Sequence, residues 1–192
     1  REKAKLMVPR SELEALEAEL AVVRLEVGKK TRALEQMGDH HAKVQEQLQG
    51  QLQEYNESNS IMDLVLFDDA MRHITRINRI ISNPAGNAML IGVGGSGKQS
   101  LARLAAFIGG METRQLQVTS NFKVEDLKES LQEMYKQAGV KGVPMIFLMT
   151  DQQIVNDKFL VYINNMLASG WIPDLFARDE IDGLIGGIRN EA

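Results

Sequence analysis

Seven residues in the middle of the chain constrain its fold more than any other feature. They read Gly-Val-Gly-Gly-Ser-Gly-Lys from Gly92 to Lys98 and fit the pattern G-x-x-x-x-G-K. The spacing alone would recur by chance in roughly one chain in twenty of average composition. An apolar run at 88–93 comes directly before the loop and an amphipathic run follows it, as a strand–turn–helix unit requires. The sequence therefore predicts a phosphate-binding loop, of the Walker A type, between a buried strand and a helix.

The residue types of this loop suit the binding of a polyphosphate. Glycines let backbone N–H groups approach a phosphate without a clash from Cβ atoms. Lys98 adds a positive charge for the β- and γ-phosphates, and the helix that begins near Gly97 directs its positive end to the same oxygens. We therefore expect ATP or ADP to bind here. The expected phosphate-binding residues are Gly92, Gly94, Gly95, Ser96, Gly97, Lys98, Gln99 and Ser100.

The residue after the lysine departs from the usual pattern. Phosphate loops normally place Ser or Thr here, where the hydroxyl ligates Mg²⁺, whereas this chain has Gln99. Ser100 lies about 100° further round the helix and is a poor substitute. An amide oxygen can ligate a hard cation such as Mg²⁺, although its reach differs from that of a hydroxyl. Gln99 is therefore a candidate metal ligand beside the expected phosphate site.

A second motif lies downstream, where an apolar run ends in an acidic residue. Residues 145–150 lead into Asp151, a pattern typical of the Walker B strand, whose aspartate holds Mg²⁺. Parallel strands that end at one sheet edge bring such ligands together, so we expect Asp151 to lie beside the phosphate loop. The alternative is an aspartate that caps the following helix.

The residue after this aspartate bears on hydrolysis. Gln152 stands where ATP-hydrolysing proteins with this motif usually have glutamate, the base that orients the attacking water. An amide cannot accept a proton at neutral pH, and the loss of a general base typically costs about 10²- to 10⁴-fold in rate. The sequence thus predicts nucleotide binding with slow or absent turnover.

Periodicity predicts alternating helices and strands in the C-terminal part of the chain. Apolar runs at 88–93 and 143–150, and a weaker one at 115–119, have the length of buried strands. Strands joined through helices imply right-handed crossovers and a parallel sheet, so the predicted fold class is α/β. Helices are predicted at 61–82, from the glycine-rich loop to 108, at 123–138 and at 156–168.

The N-terminal part has a different composition and is predicted to be a helical arm. Residues 1–53 contain nine Lys or Arg, nine Asp or Glu and no aromatic residue, so the net charge of −4 belongs to residues 54–192. We expect two domains with this boundary. Apolar residues at a 3–4 spacing, interrupted at Lys30, indicate about three heptads of coiled coil: Leu13, Leu16, Leu20, Val23, Val27 and Leu34.

Gly38-Asp39 is predicted to end this first helix. A second helical stretch follows with apolar residues at i, i+4, i+8 and i+11: Val44, Leu48, Leu52 and Tyr55. The arm is then either an amphipathic hairpin that packs on its own domain or a coiled coil that binds a partner, and the sequence leaves both open.

Composition excludes several classes of function. The chain of 192 residues has no cysteine and three scattered histidines, so disulfides, cysteine-based zinc sites and a thiol nucleophile are excluded. Its acidic balance argues against nucleic-acid binding driven by charge. No apolar run approaches the roughly 18–20 residues that cross a bilayer. We expect a cytoplasmic protein without nucleic-acid or membrane partners.

From about Tyr55 to Glu191 the chain resembles the fourth AAA+ module of a dynein heavy chain, most closely the axonemal type. Gln99 after the lysine is itself a feature of that module, so this departure supports the resemblance. The stretches that carry it are Tyr55-Asn56-Glu57, Met62 to Phe67, Gly92 to Ser100, Phe147 to Asp151, Leu167 to Gly170 and Ile188 to Glu191.

The resemblance implies a P-loop NTPase fold, the AAA+ large subdomain, truncated before the sensor asparagine and the helical lid. It implies nucleotide phosphates on Gly94 to Gln99, a metal-side role for Asp151, and an adenine-side wall. The residues of that wall would be Leu64, Val65 and Leu66.

The resemblance also implies a place in a larger machine. The module would be a regulatory nucleotide site in the six-module ring of a microtubule motor. Its partners would be other AAA+ modules or dynein subunits, with microtubules reached only indirectly. The expected location is the cytoskeleton of a cilium or axoneme.

Three functions compete at this point. The first is a nucleotide-binding motor module with weak or no hydrolysis. The second is a non-catalytic interaction protein whose N-terminal coiled coil binds a partner helix and whose nucleotide site is vestigial. The third is an independent P-loop enzyme such as a small kinase, against which Gln152 and the missing lid weigh. Nucleotide binding that depends on Lys98 separates the first two.

Overall fold

A single long helix forms the N-terminal part of the protein. The structure, a computed structural model, describes residues 10–191, with side chains from 19 to 189. It divides into an N-terminal unit that ends at Leu48 and a C-terminal unit that begins at Gln49. Helix α1 spans Arg10–Ser58 and continues through Gly38 and Asp39. The predicted break, and with it the predicted hairpin, is wrong, because one glycine within a helix costs only about 1 kcal/mol.

Eight further segments of regular structure follow in the C-terminal unit. The two strands pair in parallel, with Glu112 opposite Met145 and Arg114 opposite Phe147. The predicted parallel pairing of strands is therefore confirmed, and α3, α4 and α5 lie within three residues of their predicted bounds. The segments are α2 Asp68–Ile81, α3 Lys98–Ile108, β1 Glu112–Arg114, α4 Val124–Gly139, β2 Met145–Phe147, a 3₁₀ turn Asp151–Gln153, α5 Lys158–Ser169 and α6 Arg178–Glu191. The last helix, α6, was not predicted.

The apolar segment before the phosphate loop is not a strand. Residues 88–93 have no regular secondary structure, and Met89 and Ile91 are 87% and 85% exposed. The predicted buried strand is therefore wrong. A strand needs a hydrogen-bonded neighbour, and within residues 10–191 the sheet consists of β1 and β2 alone. The second predicted strand, 115–119, is also misplaced, because the pairing residues are Glu112–Arg114.

The helix predicted from residue 61 begins later, at Asp68. The side chain of Asn56 explains the delay, because its Oδ1 accepts the Met62 N–H at 2.7 Å and its Nδ2 donates to the Met62 carbonyl at 3.3 Å. This pair of hydrogen bonds holds the backbone of Met62 outside a helix. Asp68 and Asp69 then fall in the first turn of α2, where negative side chains stabilise a helix.

Two buried groups hold the elements that carry the site. In the first, α2 packs on α3, with Ile74 and Leu104 fully buried, and the Asn78 side-chain amide donates to the Ala105 carbonyl at 2.9 Å. This packing anchors the helix that follows the phosphate loop. The second group lies around α4 and α5 and comprises Leu116, Leu127, Leu131, Phe159, Ile172 and Leu175. None of the helices within residues 10–191 is both long and apolar enough to span a membrane.

Candidate functional site

The glycine-rich loop leads directly into α3. Gly95 and Gly97 both have φ of +74°, a left-handed conformation that strains any residue with a Cβ atom. Gly97 is the N-cap of α3 and makes no side-chain cap. The first intrahelical bond runs from the Leu101 N–H to the Gly97 carbonyl at 2.9 Å. The N–H groups of the first helical residues, before Leu101, have no partner within the helix. They can bind an anion, and the first turn of α3 has no acidic residue that would repel one.

The lysine of the loop is folded back over the loop itself. Its Nζ donates to the carbonyl oxygens of Gly92 at 2.9 Å and Val93 at 2.6 Å, and to the Ser96 Oγ at 3.1 Å. These bonds place the only side-chain cation of the motif at the mouth of the glycine-rich turn. Lys98 therefore stands where a phosphate would approach, and a bound phosphate would replace neutral oxygens as its partner.

The segment expected to form the adenine-side wall lies partly beside the loop. A Cβ atom built on Gly97 would come within 3.8 Å of the Leu64 Cδ1, so the Leu64 side chain lies near the start of α3. Leu66 is buried at 7% exposure and belongs to the core, whereas Val65 is 73% exposed. Of the three residues of the expected wall, Leu64 is the one that the structure brings to the phosphate loop.

A polar chain that sequence reasoning missed ties Gln99 to β1. The Gln115 Nε2 donates to the Gln99 Oε1 at 3.5 Å, and the Gln115 Oε1 accepts a hydrogen bond from the Arg103 guanidinium. Arg103 lies on α3, one turn after Gln99, and Gln115 directly follows β1. Glutamine and arginine at these positions match no motif, so only the fold reveals that they lie beside the side chain after the lysine.

The aspartate of the second motif opens the 3₁₀ turn after β2. Asp151 and Gln152 are both exposed. Gln153 is buried at 7%, and its side chain accepts the Thr150 N–H at 2.9 Å and donates to the Leu116 carbonyl. The turn is thereby fixed to the segment after β1. Gln153 also carried no recognisable pattern in the sequence.

The sheet arrangement expected for the two motifs is wrong. The expectation placed the strand before the phosphate loop and the strand before Asp151 in one sheet, with their ends side by side. Residues 88–93 are outside the sheet, and β2 pairs with β1 instead. Within the described part of the chain, no group of three or more His, Asp or Glu side chains could by itself hold a metal ion.

Comparison with known proteins shows the family of this chain. A family model described as "P-loop containing dynein motor region D4" matches residues 62–192. The chain belongs to this dynein family. The flagellar outer-arm dynein beta chain of Chlamydomonas reinhardtii is 57% identical over 144 residues, or 75% of this chain. The ciliary dynein beta chain of Tripneustes gratilla is 56% identical and the human dynein axonemal heavy chain 9 is 53% identical, each over 140 residues, or 73% of this chain.

These dynein relatives confirm the resemblance drawn from the sequence. Their names also place them in flagella, cilia and axonemes, which supports the expected location in the cytoskeleton of a cilium. The chain spans only 3% of the length of each of the three. The family model starts at residue 62, so all of α1 lies outside the matched region.

The dynein D4 residues in the loop fit a nucleotide polyphosphate. A Cβ atom built on Gly94 or Gly95 would meet no heavy atom within 4 Å, so the space over the turn is open to a ligand. The same turn carries the N-terminus of α3, which begins after the left-handed Gly97, and the ammonium of Lys98, which is held on the loop by Gly92, Val93 and Ser96. Backbone N–H groups at a helix start and a lysine ammonium are donors that can bind a phosphate chain.

Proposed function

We propose that this chain is a nucleotide-binding module of a dynein-like motor, with ATP or ADP held by residues 92–100. The observation that carries the proposal is the glycine-rich turn that ends in left-handed Gly97 and starts α3 with Lys98. Backbone N–H groups would bind the phosphates, Lys98 would neutralise them, and Leu64 would contact the nucleotide from the segment beside Gly97.

Mg²⁺ is proposed to accompany the nucleotide, with Gln99 and Asp151 as its side-chain ligands. Both offer an oxygen atom, which is what a hard cation requires. The contact of Gln99 with Gln115, 3.5 Å long, is weak enough to exchange for a metal ion. When bound, the ion would neutralise phosphate charge. Asp151 is exposed at the start of its turn and so is free of the desolvation that would oppose its approach to a cation.

Hydrolysis is proposed to be slow or absent in this chain. Gln152 occupies the position beside Asp151 where a carboxylate would be needed to accept a proton. Its exposed amide can donate or accept a hydrogen bond to water but cannot remove a proton at neutral pH. The module would then regulate ciliary movement through whether its nucleotide site is occupied or empty, and not through hydrolysis. Its partners would be other modules of the motor, and microtubules would be reached only through them.

The experiment that tests the proposal measures binding and turnover on the same preparation of the full chain. A fluorescent ATP analogue is titrated with and without Mg²⁺, and phosphate release is followed in parallel. We expect saturable binding that ADP competes away and that Lys98→Ala weakens. Binding that is indifferent to Lys98→Ala would favour the interaction protein with a vestigial site.

A matched pair of variants tests the role of Gln152. Gln152→Glu restores a carboxylate, and Gln152→Ala removes the amide without adding one. If the missing base limits hydrolysis, phosphate release rises in Gln152→Glu alone, while nucleotide binding stays the same in both variants. Equal release from all three proteins would show that something other than the base limits turnover.

A further inference from the structure

A stripe of apolar side chains runs along α1, and most of them are exposed. Its members recur at alternating spacings of three and four residues. Five of them are between 49% and 69% exposed: Leu20, Val23, Val27, Leu34 and Met37. Side chains at this spacing share one face of a helix. Because α1 is continuous through Gly38, the stripe keeps its phase up to Val44.

The stripe has the heptad form of a coiled coil. In heptad letters, Leu20, Val27 and Leu34 occupy a positions, and Val23, Met37 and Val44 occupy d positions. The polar members are Lys30 at d and His41 at a. Residues 19–44 cover between three and four heptads and about 39 Å of helix, which meets the minimum length for a stable coiled coil.

We propose that α1 pairs with α1 of a second copy of this chain, in parallel and in register, over residues 19–44. Parallel coiled coils place a g residue of one helix beside the e residue of the next heptad in the other helix. Here those positions hold Glu19 and Arg24. Two copies therefore form two equivalent Glu19–Arg24 ion pairs across the interface.

The Glu19–Arg24 pair is specific to the parallel arrangement of two copies. In an antiparallel pair over the same residues, e faces e and g faces g, so Arg24 would lie opposite Gly38 and Glu26 opposite His40 of the partner helix. The preceding heptad has glutamate at both positions 12 and 17 in the sequence, which would repel in the parallel arrangement, so the pairing is inferred from residue 19 onward.

The polar residue at d favours an assembly of two rather than more copies. The Lys30 Nζ lies 3.4 Å from the Glu26 Oε1 on the same helix, and both side chains are exposed. Between two helices, a long lysine can keep its ammonium in water while its methylenes pack. Val22 and Leu25 are also exposed, at 66% and 61%, but they occupy the outward c and f positions, so they do not distinguish two copies from more. The measured mass distinguishes a dimer from a larger assembly.

The first test combines two measurements on the full chain: its mass in solution and the crosslinking of single-cysteine variants. The natural sequence has no cysteine and a mass of 21.4 kDa. Light scattering should give twice this mass. Leu34→Cys places the thiol at an a position, where two parallel chains in register bring the residues face to face, and mild oxidation should link them. Arg32→Cys, at the outward f position of the same helix, should not link.

The second test exchanges the charges of the proposed ion pair. Glu19→Arg alone and Arg24→Glu alone each place like charges together and should weaken dimerisation. An equal mixture of these two variants should restore it, because each mixed pair regains both opposite-charge contacts. A monomeric mass for the natural chain, a mass above the dimer, or failure of the mixture to pair overturns the proposal. Nucleotide binding plays no part in these measurements, so they stand apart from the proposed function.

Discussion

Replacement of Lys98 by alanine should weaken ATP binding roughly 70-fold. A lysine ammonium about 4 Å from one phosphate charge, at the effective dielectric of a protein surface, contributes about 4 kcal/mol. Against this, the Nζ gives up hydrogen bonds to Gly92, Val93 and Ser96. At the lower end of the usual range these cost about 1.5 kcal/mol together. The difference of about 2.5 kcal/mol corresponds to roughly 70-fold in Kd.

The assay for this prediction is a fluorescent ATP analogue titrated against the natural chain and the Lys98→Ala variant at fixed ionic strength. Lys141→Ala is the matched control, because it removes the same charge from an exposed turn after α4. Thermal unfolding checks that the variants fold alike. A change in Kd below about threefold for Lys98→Ala, with the fold intact, would refute the reasoning that the lysine binds the phosphates.

Three further outcomes are expected. Mg²⁺ should tighten ATP binding about tenfold less, or weaker still, in Asp151→Asn than in the natural chain, since one carboxylate ligand is lost. ADP binding without Mg²⁺ should stay unchanged. Titrations with and without Mg²⁺ measure this, and equal losses of affinity in both would contradict a metal role. Gln153→Ala leaves the Thr150 N–H and the Leu116 carbonyl without their partner, so urea denaturation should show a loss of about 1–3 kcal/mol in unfolding free energy, and a loss below about 0.5 kcal/mol would contradict the buried contact. Burial raises the pKa of Tyr135 above its ordinary 10.0; the folded state then holds this proton more tightly, so stability is complete below pH 10 and falls as pH rises through the raised pKa. Tyr135→Phe should lack this component of the alkaline loss in a pH series of urea midpoints, and an identical series would contradict it.

Local patterns of the phosphate loop were readable from the sequence. The glycines before Lys98 determine a turn and the start of a helix, because both depend on only a few adjacent residues. The helix α3 therefore begins at Lys98, as predicted from the glycine spacing. The helix α4 followed in the same way, because its apolar residues repeat at 3.6-residue spacing over a full 16 residues.

Features that depend on distant neighbours were not readable. The run at 88–93 is as apolar as a buried strand, but periodicity cannot tell whether another strand lies beside it. The start of α2 depends on the Asn56 side chain, six residues from the Met62 backbone that it holds. Gln115 and Gln153 form hydrogen bonds with residues 16 and 37 positions away in the sequence. A glutamine in a sequence gives no indication of such a distant partner.

The predicted end of the first helix at Gly38 failed for a different reason. A glycine followed by aspartate weakens a helix by about 1 kcal/mol relative to alanine, and the residues on both sides of this pair still prefer helix. The glycine and aspartate weaken the helix locally, but the helix-favouring residues around them keep α1 continuous over its 49 residues.

We propose that this dynein D4 chain binds ATP at residues 92–100 and hydrolyses it slowly or not at all. The most direct test is phosphate release measured at a protein concentration and an ATP concentration where binding is shown to be saturated. We expect Lys98-dependent binding with release far below 1 s⁻¹, the lower end of usual enzyme rates. Release near 1 s⁻¹ that disappears in Lys98→Ala would contradict it.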